Sequence, residues 1–313
     1  MTVLVTGASG FIGAHVVMEL LERGFTVKAM LRDEKLATIF PKSEKLEIVV
    51  ADLFDVDSLR AAVSGCDDII HCAAALYVGA KDVQKEVVDP SVIGVDNLCS
   101  VMEGVKRIIH TSSVAAIRTT TYENGQVFSV DDWCNDATIE TNPYGLAKVE
   151  AERKIRRWAE ERDVRLVTIH PSVVFGPILH KRHSEGSMSY LKHFTGKLPF
   201  VLDIQVNFVD VRDVAKAHVN ALDLGENGGR FLIHNKSLWF NEIGCVLNRN
   251  WPTLPRFLAF IISLLHPKLS WKDLKSNLGS VVEYDVGNSF EVLCIEKTND
   301  EKTLKDGFSS LKA

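Results

Sequence analysis

The spacing of apolar positions predicts strands alternating with helices. Val3-Leu4-Val5 is a short all-apolar run, the pattern of a strand covered on both faces. Residues 11–22 then change to helical spacing, with Ile12, Val16 and Leu20 on one face and Met18 and Leu21 beside it. Gly24 follows as a C-terminal stop. Residues 25–30, 46–50 and 69–70 read as the second, third and fourth strands, separated by helical stretches such as 57–63. Residues 91–103 read as a helix and 107–110 as a fifth strand. A long segment, 144–161, is rich in Ala, Glu, Lys and Arg and helical by composition. Residues 164–169 give a sixth strand. The alternation predicts an α/β fold with a doubly wound parallel sheet and helices on both faces. Right-handed crossovers then bring the strand C-termini, and the ligand, to one edge.

The second half is less regular, broken at Pro171, Pro177, Pro199, Pro252, Pro255 and Pro267. Residues 208–222 and 230–233 read as one more helix and strand returning to the sheet. The expected division is therefore a dinucleotide-binding domain over 1–170, rejoined by 205–235. A smaller C-terminal substrate-binding cap is expected from 171–204 and 236–313, containing Trp239, Trp251 and Trp271. The run 257–265, interrupted by Ser263, is too short to cross a bilayer and reads as a buried helix.

Composition narrows the class of partner. The 313 residues are 46% hydrophobic and 25% charged with net charge −5, enough apolar content for a sizeable core. Neither a basic stripe nor a polybasic cluster is present, so neither nucleic acid nor a membrane surface is expected. Six cysteines stand without a CxxC pair, which argues against a structural zinc site. No secretory n-region or cleavage pattern opens the chain, and a cytoplasmic location with reduced thiols is expected. His180 and His183 have no carboxylate or thiol at ligand spacing, so no metal is expected there. His71, at a strand end, reads as a packed residue rather than a base.

Two local patterns carry chemistry. The first is Thr6-Gly7-Ala8-Ser9-Gly10-Phe11-Ile12-Gly13, between the first strand and first helix. A strand-to-helix turn of this kind aims backbone N–H groups at an anion, aided by the helix dipole. Gly7 permits the turn, Gly10 lets a pyrophosphate approach, and Gly13 lets the helix pack close to the strand, as in a Rossmann sheet. The second strand ends Leu31-Arg32-Asp33, with Lys35 nearby. Arg32 can fork onto a 2′-phosphate, so NADP(H) is favoured over NAD(H); the other reading leaves Arg32 solvated and gives the ribose to Asp33.

The second pattern is Tyr144-Gly145-Leu146-Ala147-Lys148 at a helix start, which sets Tyr144 and Lys148 on one face. A free phenol has a pKa near ~10 and exchanges protons poorly at neutral pH; a nearby ammonium favours its phenolate. Thr111-Ser112-Ser113 follows the fifth strand, and its hydroxyls can bond a substrate oxygen on which negative charge develops. Hydride transfer to a carbonyl carbon with Tyr144 giving the proton follows as the expected mechanism.

The glycine spacing and the Tyr-x-x-x-Lys pattern together resemble the extended branch of the short-chain dehydrogenase/reductase family. Further segments are similar to its dihydroflavonol-reductase-like and aldehyde (methylglyoxal) reductase-like members: His71-Cys72-Ala73-Ala74, Phe128 to Trp133, Pro171 to Pro177, and Val209 to His218. The likeness covers residues 1 to about 235. It implies Ser113 as the catalytic serine closing the Ser-Ser pair, with Tyr144 and Lys148. It also implies Asp52 and Leu53 beside the adenine, Cys72, Ala73 and Ala74 along the cofactor, Pro171 and Val173 on the nicotinamide, and Ser187 reaching it from the cap. Val174 reads as sheet core. A pocket between sheet edge and cap is expected from Tyr77, Ser113, Tyr144, Tyr190 and Phe194. The implied activity is NADPH-dependent reduction of a small aldehyde or ketone by a monomer or homodimer. Asn142-Pro143-Tyr144-Gly145 also suits the alternatives of a nucleotide-sugar epimerase or dehydratase, or a 3β-hydroxysteroid-type dehydrogenase. A non-catalytic NADP sensor is the further alternative.

Overall fold

A computed structural model describes residues 1–73, 82–196, 199–259 and 278–312. Ala74, Tyr77, Trp271 and residues 260–265 of the apolar run lie outside them. The chain begins β1 (Thr2–Thr6), α1 (Phe11–Glu22), β2 (Thr26–Leu31), β3 (Leu46–Val50), α2 (Val56–Val63) and β4 (Asp68–His71). It continues α3 (Asp89–Val101), β5 (Arg107–Thr111), β6 (Gln126–Phe128), α4 (Pro143–Arg162), β7 (Arg165–Pro171), β8 (Val173–Phe175) and α5 (Ser189–His193). Then come β9 (Gln205–Asp210), α6 (Val211–Asn220), β10 (Arg230–Ile233), β11 (Lys236–Trp239), α7 (Phe240–Val246), β12 (Val282–Tyr284), α8 (Ser289–Val292) and α9 (Asp300–Ser310).

The main sheet has seven parallel strands in the order β10-β7-β5-β4-β1-β2-β3. Both faces are covered, and the strands sort their side chains accordingly. Val3, Val5, Val27, Ala29, Ile70, Ile109 and Val167 pack with residues of α1 and α6. Leu4, Met30, Ile69, Ile108 and Leu166 turn to the other face, against α2, α3 and α4. Most of these side chains have no exposed surface, and each large one contributes roughly 1.5–3 kcal/mol by leaving water. Val174 lies in the first of these cores. The strand order reverses between β1 and β4, so their C-terminal ends flank the crevice where such sheets bind ligands.

Two expectations from spacing shift here. The segment read as helix from residue 208 is still strand to Asp210; the helix starts at Val211, where Asp210 caps it by accepting from the Arg212 N–H. An apolar run such as Val206-Asn207-Phe208-Val209 does not itself distinguish strand from helix. Phe257, placed in a buried helix, is 65% exposed. Strands β8, β9 and β11 form a separate three-stranded sheet. It supports a third core of Phe175, Met188, Leu191, Phe194, Phe208, Phe240 and Phe308. Among the described residues no helix is long and apolar enough to cross a membrane.

Candidate active site

The glycine loop is a bare backbone cradle. Gly7 has φ +65°, and a Cβ there would lie 2.7 Å from the Ala73 backbone at the end of β4. A Cβ on Gly13 would lie 2.3 Å from the Gly7 carbonyl oxygen, so helix and turn touch through bare backbone. At Gly10 a Cβ would meet only that same carbonyl, at 3.1 Å. Gly10 precedes α1 with no side-chain cap, and the N–H groups of Phe11, Ile12 and Gly13 find no acceptor outside the helix among the described residues. Donors left open at the positive end of a twelve-residue helix suit a pyrophosphate, so the residues present fit a dinucleotide.

Around the cradle the expected residues divide. Asp33 Oδ1 accepts from the Lys35 N–H at 3.0 Å, capping the turn Glu34–Ile39. Arg32 and the Lys35 side chain are exposed, and neither has a carboxylate partner among the described residues. Asp52 accepts from the Phe54 N–H at 2.9 Å, and Leu53 is held by α3, where Asn97 donates to its carbonyl at 2.8 Å. A Cβ on Gly94 would press the Leu53 side chain at 3.0 Å. The Cys72 thiol is pushed up to about 12 by burial, opposed by Thr111 and Lys148.

His71 has the packed role expected of it. Its Nδ1 lies 2.6 Å from the Thr6 hydroxyl and its ring stacks on His110, centroids 5.3 Å apart. Burial, with help from the Lys148 charge, holds its pKa down to about 3, so the ring is neutral.

Helix α4 opens with Asn142 accepting from the Gly145 N–H at 2.9 Å and with Pro143 at its first position. Tyr144 is half-buried on the first turn. One turn on, Lys148 is 7% exposed, and its ammonium lies 5.9 Å from the Tyr144 ring centre. Its only hydrogen-bond partner among the described residues is the Thr111 carbonyl at 3.1 Å; no carboxylate pairs with it. The Thr111 hydroxyl is engaged by His218 Nε2 at 2.7 Å, which ties α6 to the end of β5.

The two serines part company. Ser112 is buried and donates to Glu152 Oε2 at 2.6 Å. Ser113 is half-buried, and its oxygen accepts the Ala115 N–H at 3.1 Å; its hydroxyl proton has no acceptor among the described residues.

Sequence reasoning missed the residue that organises this corner. Glu152, two turns beyond Tyr144, has no exposed surface. It binds Ser112, His170 Nε2 at 2.8 Å, Arg230 Nε at 2.9 Å and Arg156 Nε at 3.1 Å. Burial alone would raise this carboxyl; His170, Arg230 and Arg156 outweigh it and hold the pKa well below the usual range. Arg230 also covers the Trp133 ring at 3.9 Å and donates to the Asp132 carbonyl. The available signal was the spacing 144, 148, 152 on one helix face.

Further along the chain, Pro171 ends β7, Val173 begins β8, and Ser187 lies in the turn Gly186–Met188. Phe194, expected to line the pocket, is instead fully buried in the core beside the smaller sheet, between Phe240 and Trp251, with centroids 4.9 and 5.4 Å away. Tyr190 is 37% exposed and meets Phe175 and Phe240 edge-on. His180 and His183 bond loop backbone: His180 Nδ1 accepts from the Arg182 N–H, and His183 Nε2 lies 3.0 Å from the Ser9 carbonyl oxygen. A groove of about 950 Å³ lined by Cys99, Met102, Trp158 and Arg162 lies at the far end of α3 and α4, near the strand N-termini, away from this chemistry.

Comparison with known proteins follows the same outline. The model of the NAD dependent epimerase/dehydratase family matches residues 3–233. A cinnamoyl-CoA reductase (CAD2) of Medicago truncatula is 31% identical over 266 residues, covering 80% of this chain and 81% of that protein. The dihydroflavonol 4-reductase of Zea mays is 29% identical over 339 residues, spanning 100% of this chain and 94% of its own. The crystal structure of Gre2 from Candida albicans in complex with NADPH superposes with a TM-score of 0.81 at 25% identity, covering 100% of this chain and 98% of that one.

Proposed function

Because the chain belongs to the NAD dependent epimerase/dehydratase family, we propose that it is an NADPH-dependent reductase of an aldehyde or ketone, with Ser113, Tyr144 and Lys148 as its catalytic residues. A reduced nicotinamide dinucleotide in the crevice would supply the hydride to the carbonyl carbon. Gly7 to Gly13 would hold its pyrophosphate. Arg32 and Lys35, exposed and without carboxylate partners among the described residues, would take the 2′-phosphate, while one oxygen of Asp33 caps the turn that follows. The adenine would lie by Asp52 and Leu53. Cys72, Ala73 and Ala74 would line the cofactor's path, with Pro171, Val173 and Ser187 around the nicotinamide. The kinship to a cinnamoyl-CoA reductase and a dihydroflavonol 4-reductase, and the likeness to a structure in complex with NADPH, support this choice.

The residues divide the proton work. The Ser113 hydroxyl donates to the carbonyl oxygen and orients it. Tyr144 gives that oxygen its proton as the alcohol forms. Lys148 keeps a positive charge one turn below the phenol and stabilises the tyrosinate left behind. The domain division follows the same line: residues 1–170 with 205–235 hold the dinucleotide, and 171–204 with 236–313 cap the substrate.

One observation carries the reading. Lys148 is a buried cation with no carboxylate partner among the described residues, placed one helical turn from a phenol. An unpaired buried charge is costly, and structure alone gives no return for it here. The test is NADPH consumption, followed by absorbance, against aliphatic, aromatic and dicarbonyl substrates. Tyr144→Phe is expected to fold, to bind NADPH and to lose turnover by roughly 10²–10⁴-fold. Near-normal turnover in that variant would remove Tyr144 from the mechanism. A purified protein carrying stoichiometric NAD and consuming no NADPH would favour the epimerase alternative.

A further inference from the structure

Outside the nucleotide fold's own loop, a segment of the cap reaches back to the glycine cradle. After β8 the chain returns over α1. His15 Nε2 lies 2.9 Å from the Pro177 carbonyl oxygen, and His183 Nε2 lies 3.0 Å from the Ser9 carbonyl oxygen. His183 is 3% exposed, and its ring stands 5.8 Å from that of Phe11. Burial, against the pull of the Ser9 carbonyl, takes its pKa down to about 4, so the ring is neutral and Nε2 donates. Its Nδ1 is buried and finds no partner among the described residues.

This anchoring fixes the preceding residue. Arg182 is exposed, and its Nη1 lies 3.4 Å from the Ser9 hydroxyl. It has no carboxylate partner among the described residues. The guanidinium therefore stands beside the open N–H groups at the positive end of α1. A cation is unfavourable there, because the helix dipole and the bare donors repel it. It becomes favourable once an anion lies between donors and guanidinium, where both can bond it.

We propose that Arg182, carried from the cap by the His183–Ser9 contact, clamps the pyrophosphate of the bound dinucleotide. The proposal rests on the dinucleotide reading above and assigns a different group from Arg32 and Lys35. Those are placed to distinguish the 2′-phosphate; the pyrophosphate is common to NADPH and NADH. The clamp also joins the substrate-binding cap to the cofactor cradle through one side chain.

The two phosphate roles separate in binding measurements. Dissociation constants for NADPH and NADH are measured by fluorescence titration of the full-length protein and of Arg182→Gln, Arg182→Lys and Arg32→Ala. Arg182→Gln is expected to weaken both dinucleotides by the same factor, roughly tenfold for a charged hydrogen bond. Arg182→Lys is expected to recover part of that, keeping the charge without the fork. Arg32→Ala is expected to weaken NADPH alone. Unchanged affinities in Arg182→Gln overturn the proposal, as does a loss confined to NADPH, which would move Arg182 to the 2′-phosphate. Wild-type protein that bound neither dinucleotide would sink the dinucleotide reading itself, and the clamp with it.

Discussion

Lys148 and Glu152 sit one turn apart on α4, both buried, and they are opposites. Glu152 is surrounded by Ser112, His170, Arg156 and Arg230, so its charge is fully answered by neighbours from β7, β10, its own helix and the residue just after β5. Lys148 has one backbone carbonyl. A buried charge with complete partners fixes geometry; one left incomplete stores a field for something that arrives later. Stability and turnover should therefore respond to the two residues in opposite ways.

The largest effect comes from crossing them. Glu152→Ala removes the carboxylate shared by Ser112, His170, Arg156 and Arg230, leaving two largely buried guanidinium groups with carbonyl and hydroxyl partners alone, and is expected to cost about 3–5 kcal/mol in denaturant unfolding. Lys148→Met removes an unpaired charge and fills its place with apolar atoms. Its unfolding free energy should hold or rise while turnover falls by roughly 10²-fold or more. A Lys148→Met protein that unfolds as readily as Glu152→Ala would erase the distinction.

The neighbouring serines repeat the contrast on a smaller scale. Ser113→Ala is expected to lower kcat by roughly 10²-fold with little change in stability. Ser112→Ala is expected to cost about 1–2 kcal/mol of stability while kcat stays within a few-fold of wild type, because only the bond to Glu152 is lost.

Acid supplies the mildest test. Burial, with the Lys148 charge adding to it, lowers the pKa of His71 to about 3 and that of His218 to about 4, although His218 also gains from the Val214 carbonyl. The unfolded chain binds protons at these rings near pH 6.5, above the folded values. Their contribution is thus fully present above pH 6.5 and is lost as pH falls toward 4 and 3. Roughly 1–2 kcal/mol per ring should disappear by pH 5, read as a drop in Tm. Lys148→Met should blunt that drop, since one source of the depressed values is gone.

The sequence carries the parts whose chemistry is local. Three glycines in seven residues, and a tyrosine with a lysine four places on, announce themselves without folding. The bounds of α1 and β3 follow equally from nearest-neighbour spacing. The Glu152 network does not, because residues 112, 152, 156, 170 and 230 meet only when three strands and a helix are in register. The same holds for the His183–Ser9 contact, which joins residues 174 positions apart. Phe194 misled for a related reason: an aromatic side chain suits a pocket wall and a core equally well, and only the positions of Phe240 and Trp251 decide between them.

The strand order of the main sheet also says something about birth on the ribosome. In β10-β7-β5-β4-β1-β2-β3, each strand emerging after the first can join an edge that already exists: β2 and β3 on one side, then β4, β5, β7 and β10 on the other. No later strand has to be wedged between two earlier ones, so growth can keep pace with translation. The nascent chain thus completes its glycine turn, residues 7–13, with its first strand and helix, and adds Tyr144 and Lys148 only after five strands of that sheet are in place.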